Sequence, residues 1–328
     1  MKKLALDYDL LFLAVVFVVL VPLVGLRVFG LDADYFNYYN LIVLQNKVDL
    51  ITKEFGFRAI LGFNSLLFRD NVDTFFLTFA ILGVSVKFFA FYKYSPIPLL
   101  SLVLYLFSYF LLHDYTQIRA GVSAGIFLLA LEDLSDGNKS KYFKKIAIAC
   151  LFHWTALILF PVYFIVRKFS FQFFFVLPFL GIAVFLSKIN VEGLIIQSIQ
   201  GYPALSLYYM SHSGHESAVN IFNVINLAFL ALFIAFYAII TLVGDEFSTK
   251  EIDLFKVFSL SLFAFYFFAI LNKPVVAFRI FEYLNVVLLF LIPAVVLKFR
   301  QWYLASGAFL AFFLIYFYHL IVNVQVIP

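Results

Sequence analysis

The 328-residue chain is 65% hydrophobic and only 13% charged, with 47 phenylalanines and a net charge of +4, and its mean hydropathy is +1.02. Soluble domains average about 45–50% apolar and about 25% charged residues, so a soluble globular fold is excluded and a polytopic membrane protein is expected. Basic residues scattered between apolar runs exclude a nucleic-acid-binding patch, and the single Cys150 excludes an intrachain disulfide.

Lys2 and Lys3 precede an apolar run over residues 10–29. It is too long for a signal-peptide core and no small-residue cleavage site follows, so it reads as an uncleaved first span with the lysines in the cytoplasm. A polar segment follows over residues 30–58, with Asp32, Asp34, Asn37, Asn40, Asp49, Lys53 and Glu54. Its tyrosines, Tyr35, Tyr38 and Tyr39, are interleaved with carboxylates. That mixture suits sugar hydroxyls and a general base, or an ordinary solvated loop with an aromatic belt. Residues 59–69 are apolar but too short to cross, which predicts an interfacial or re-entrant helix.

Runs of spanning length follow at 73–92, 97–112 and 117–134. Between the last two lies His113-Asp114-Tyr115-Thr116-Gln117-Ile118-Arg119, where polar and ionisable groups crowd the start of an apolar run. An arginine at the centre of a bilayer-spanning helix costs about 2.5–3.5 kcal/mol. Near hydrocarbon it is retained where it faces a cavity, a partner or a charged ligand. Gln117 and Arg119 therefore read in two ways: a cation snorkelling to headgroups, or a planar fork clamping a phosphate at a helix N-terminus.

Residues 132–145 form the most hydrophilic connector, and Lys139, Lys141, Lys144 and Lys145 make it the strongest cytoplasmic marker. The next run, 146–166, decides the topology. A single crossing spreads Lys and Arg almost evenly over the two sides. A dip and return instead gathers Arg167, Lys168, Lys250, Lys256, Lys298 and Arg300 on the cytoplasmic side. A re-entrant segment is therefore predicted, turning at His153-Trp154-Thr155. His153 is either hydrogen-bonded for structure or a proton-transfer group.

Further apolar runs lie at 171–187, 219–243, 254–271, 276–297 and 302–326, with a polar loop at 188–220. Arg279 and Glu282 share a helix face one turn apart. They form an ion pair, or Arg279 is a second phosphate-binding arginine held by Glu282. His212, His215 and Glu216 match no zinc spacing, and glycine-rich phosphate loops and serine-nucleophile elbows are absent from the sequence. No metal and no cofactor is expected, although the pair Asp32 and Asp34 leaves metal use open. The expected fold is an all-α polytopic integral membrane protein, a single transmembrane domain over 1–328 with about nine or ten transmembrane helices plus re-entrant and interfacial ones. The 30–58 and 188–220 segments are expected to be extracytoplasmic.

Taken in order, these motifs resemble the EpsG/Wzy group of bacterial polysaccharide polymerases. Gly30 to Tyr39 is similar to the family's Gly-x-Asp…Tyr segment, with Asp34 and Tyr38 fitting best. Glu54-Phe55-Gly56-Phe57 resembles its Glu-x-Gly-aromatic stretch, and Gln117-Ile118-Arg119 its Gln-x-Arg motif. Phe152-His153-Trp154-Thr155 resembles Phe-His-x-Ser/Thr, with threonine for the commoner serine, and Arg279 to Tyr283 the late Arg-x-x-Glu-Tyr.

The resemblance implies a GT-C-like, multi-pass glycosyltransferase of the bacterial inner membrane. Such an enzyme moves a growing glycan from undecaprenyl pyrophosphate to the next lipid-linked repeat unit, on the periplasmic face, building O-antigen, capsule or exopolysaccharide. Arg119 and Arg279 would stabilise the leaving pyrophosphate. Asp34 or His153 would serve as base, and Gln117, Tyr38 and Glu282 would contact substrate. The implied partners are undecaprenyl-pyrophosphate-linked glycans, membrane lipids, a chain-length regulator and a flippase, with no nucleic acid. The competing readings are an O-antigen ligase, a membrane acyltransferase and a lipid-linked sugar flippase or transporter. Transporters tend to carry matched repeat halves, which this sequence lacks.

Overall fold

The computed structural model describes all residues except 1–7, 29, 31, 33, 44–52, 190, 192, 194–218, 272 and 323–328. Most of the 188–220 loop, with His212, His215 and Glu216, thus lies outside the described residues. Two compact units are formed, one from residues 1–167, 249–254 and 286–328, the other from 168–248 and 255–285.

Among the described residues every regular element is a helix. In the first unit these are α1 (Tyr8–Gly25), α2 (Tyr35–Val43), α3 (Phe55–Phe68), α4 (Val72–Tyr94), α5 (Pro98–Ser108), a π-helix (Phe110–Thr116), α6 (Ile118–Ser135) and α7 (Lys139–Phe152). A short 3-10 turn (Trp154–Ile158) leads into α8 (Leu159–Lys168). The second unit holds α9 (Phe171–Leu186), α10 (Val224–Leu242), most of α11 (Thr249–Phe268) and α12 (Pro274–Asn285). The chain ends in the first unit with α13 (Leu288–Val296) and α14 (Trp302–Val322).

Among the described residues five helices are long and apolar enough to cross a membrane: α1, α4, α10, α11 with its extension to Leu271, and α14; counting each of two bent pairs as one span raises this to seven. The protein is an all-α, polytopic membrane protein. Two more of the apolar runs form helices that carry charges near their ends or are short. Helix α6 carries Arg119, Glu132 and Asp133, and α9 has only 16 residues. The run at 97–112 is not straight, since α5 and the π-helix meet at 70°. The bend takes all seven π-helix residues, His113 and Asp114 included, into the protein interior rather than to lipid.

Helix α6 packs between α4 and α7. Its run of Ala120, Gly121, Ser123, Ala124 and Gly125 lets neighbouring backbones approach closely, and the Ser123 hydroxyl donates to the Ala149 carbonyl at 2.8 Å. Helices α7 and α8 then double back on one another. The Tyr142 hydroxyl donates to the Leu159 carbonyl at 2.8 Å, and that of Tyr163 to Gly137 at 2.7 Å. The Tyr142 and Tyr163 rings lie 5.3 Å apart, where a continuous helix would separate them by about 30 Å. The run 146–166 therefore folds back on itself, with His153 at the turn.

Ion pairs tie together the open end of that hairpin. Glu132 pairs with Lys250, Asp133 with Lys145 at 2.5 Å, Arg167 with Asp253 at 3.7 Å, and Glu251 with Lys298 at 3.1 Å. The end of α6, both ends of the hairpin, residues 249–254 and the end of α13 therefore share one side of the first unit. Arg119 lies about 20 Å away along α6, level with the hairpin tip.

Candidate active site

Glu54 precedes α3 and is almost wholly buried, at 2% side-chain exposure. Its two carboxylate oxygens serve different partners. Oε2 accepts from Arg119 Nη1 at 2.5 Å. Oε1 lies 3.2 Å from His153 Nδ1 and accepts from the Trp154 backbone N–H at 3.2 Å. The last contact caps the 3-10 turn that starts where α7 stops, because His153 is extended (φ −155°, ψ 126°). Gly56 makes this approach possible, since a Cβ there would stand 2.7 Å from the Leu151 carbonyl oxygen.

Burial pushes the Glu54 carboxyl up, but the hydrogen bond from His153 and the charge of Arg119 outweigh it and hold it down at about 2. Glu54 is therefore a carboxylate at neutral pH and can only accept. The proton between it and His153 must then sit on Nδ1, the tautomer in which a neutral imidazole accepts through Nε2.

Arg119 stands at the start of α6 with a side chain 21% exposed. Tyr38, from α2, lies beside the guanidinium. The rings of Tyr38 and Phe57 flank it, with centroids 6.0 and 5.6 Å from Cζ. Its Nε is buried and, among the described residues, has no acceptor. Buried donors are nearly always satisfied in folded proteins, so an unmet one at a site calls for an acceptor from outside.

Four segments far apart in sequence thus meet at one point, in the order of the motifs along the chain. A family model described as the EpsG family matches residues 10–328. The chain belongs to the EpsG family. No curated protein and no solved structure matches it. As a family member it is a multi-pass membrane protein whose general function is polysaccharide polymerisation.

In this EpsG-family chain the structure gathers three of the predicted site residues, Tyr38, Arg119 and His153, around Glu54. Asp34 is half-buried at the start of α2, one turn before Tyr38, and its carboxylate accepts from Asn37 Nδ2 at 3.3 Å. Its neighbour Asp32 is committed to a buried ion pair with Arg27 at 3.2 Å. Gln117 joins the π-helix to α6 through its backbone, its N–H donating to Leu112 at 2.8 Å and its carbonyl accepting from Gly121 at 2.9 Å. In the second unit, Arg279 is exposed on α12 and Glu282 is buried. Glu54 was not among the site residues expected from sequence. The signal for it was a carboxylate immediately before an apolar helix, followed two residues on by glycine.

Proposed function

We propose that the chain is the polymerase that joins undecaprenyl-pyrophosphate-linked repeat units on the outer face of the bacterial inner membrane. The observation that carries this is one buried carboxylate that holds both a guanidinium, whose Nε–H has no acceptor among the described residues, and an imidazole engaged through Nδ1. A pyrophosphate leaving group needs a cation where its charge develops, and Arg119 supplies one. The acceptor hydroxyl needs a base, and His153 Nε2, oriented through Nδ1 by Glu54, is better prepared than Asp34. The acceptor oxygen forms the new bond to the anomeric carbon and the bond to pyrophosphate breaks. The leaving group takes the electron pair, and the hydroxyl proton passes to His153. The same reading gives Arg279 a phosphate-binding role, and a flippase and a chain-length regulator as partners.

A deletion strain tests it. Without this gene the surface glycan is expected to shrink to single repeat units. The wild-type gene should restore a ladder on gels and His153→Ala should not. An unchanged ladder in the deletion strain ends the polymerase reading, and complete loss of surface repeat units points to a flippase instead.

The ion-paired end of the first unit holds the Lys-rich connector, so it is assigned to the cytoplasm. In a chain with Cys150 replaced by serine, Asp73→Cys is expected to react with a membrane-impermeant thiol reagent added to spheroplasts. Ser140→Cys and Arg300→Cys should react only after lysis. Labelling of Ser140→Cys from outside would reverse the orientation.

A further inference from the structure

The π-helix Phe110–Thr116 is fully buried and delivers the chain to α6 only three residues before Arg119. Its fastenings are charged. Asp114 Oδ1 accepts from Lys87 Nζ at 2.9 Å, and Oδ2 accepts from the Tyr105 hydroxyl at 2.6 Å. The same ammonium donates to the carbonyls of Gly121 at 2.8 Å and Gly83 at 3.3 Å. Its three protons thus meet acceptors on α4, on the π-helix and on the first turn of α6. From the other side, Arg27 donates to the carbonyls of Asp114 at 3.3 Å and of Tyr115, and its Cζ lies 4.2 Å over the Phe76 ring. At Gly121 the His113 carbonyl oxygen occupies the place a Cβ would need, so the π-helix and α6 touch backbone to backbone.

Both oxygens of Asp114 and all three donors of Lys87 are engaged within the protein, which leaves them nothing to offer a substrate. We propose that Lys87 and Asp114 are positioning residues acting through Arg119. Their pair sets the first turn of α6 against the π-helix, and that turn sets where the guanidinium stands beside Glu54. The inference rests on the pyrophosphate role given to Arg119 above, and the test separates the two.

The probe is the undecaprenyl-pyrophosphate-linked repeat unit isolated from the deletion strain, polymerised by the full chain in proteoliposomes. Lys87→Met combined with Asp114→Asn removes the pair without stranding a buried charge. This variant is expected to insert and melt like wild type. Its kcat should fall about 10–100-fold, as a displacement of about 1 Å at a catalytic group can do, with KM changed by less than about threefold. Adding the pair of substitutions to Arg119→Ala should lower kcat no further, because a residue that acts only through Arg119 has nothing left to act on.

Wild-type kcat in the double variant, beside an inactive Arg119→Ala, overturns the positioning role alone. Losses that multiply in the triple variant overturn it too, since a general structural role adds independently. Wild-type turnover by Arg119→Ala overturns the pyrophosphate reading and the positioning role with it. If the double variant does not accumulate, Tyr105→Phe removes one bond to Asp114 and should cost about two- to tenfold in kcat, again with no further loss in Arg119→Ala. Wild-type kcat in Tyr105→Phe overturns the proposal.

Discussion

Arg119→Ala is expected to reach the membrane in normal amounts and to lower polymerisation about 10²–10³-fold, the usual cost of removing a donor aimed at developing charge. Cells carrying it should display single repeat units in place of a ladder. Arg119→Lys should not restore the ladder. The guanidinium uses Nη1 for Glu54 while Nε has no acceptor among the described residues, and the planar fork presents both edges at once. A lysine ammonium is a single point and would have to leave one partner. Glu54 remains tied to His153 and Trp154 in the alanine variant, so folding should survive and the defect should lie in turnover. Gel analysis of surface glycan, with an immunoblot of the membrane fraction, checks this. A wild-type ladder from Arg119→Ala would remove the pyrophosphate-binding role.

The fold class and the hairpin were legible because both rest on quantities a sequence carries directly. Apolar runs of about 20 residues match a hydrocarbon core, and the Lys and Arg residues that flank 146–166 would be divided between two sides by a simple crossing. The ion pairs of Lys145, Arg167, Lys250 and Lys298 now show those cations at one end of the first unit. Arg119 and His153 were legible for a related reason, since ionisable groups at depth are costly and stand out from apolar sequence.

Other features were hidden by their pairing. Lys87 is an equally costly residue in the middle of a span, but its meaning depends on Asp114, 27 positions later, and no local pattern announces that contact. The bend at 97–112 was hidden as well. Hydropathy counts apolar residues without saying that Asp114 would find Lys87 and Tyr105 inside the protein and draw the chain away from a straight crossing. Glu54 stands out in the sequence only as part of a Glu-x-Gly-aromatic stretch, which gives it no partners. Only the fold shows that its two oxygens meet side chains 65 and 99 residues away.

Glu54→Gln carries the second large effect. The amide is close in shape but neutral, and it presents one acceptor oxygen where the carboxylate presents two. Arg119 and His153 can no longer both be held, and the imidazole loses the anion that fixes its proton on Nδ1. Polymerisation is expected to fall about 10²–10⁴-fold, on the scale seen when the orienting carboxylate of a histidine base is neutralised.

The same residue leaves a signature in stability. The Glu54 carboxyl is held at about 2 in the fold against an ordinary 4.5. A depressed carboxylate contributes its stabilisation fully above the unfolded value and loses it as pH falls through the folded one. The contribution, about 3 kcal/mol, should therefore be intact at pH 5 and above and disappear between pH 4.5 and 2. Thermal unfolding of the detergent-solubilised protein should show a steeper loss of Tm below pH 4.5 in wild type than in Glu54→Gln, with the difference between them shrinking as pH falls. Parallel profiles for the two chains would mean that Glu54 gains nothing from its partners in the fold. The carboxylate could then no longer be the anchor that aligns guanidinium and imidazole.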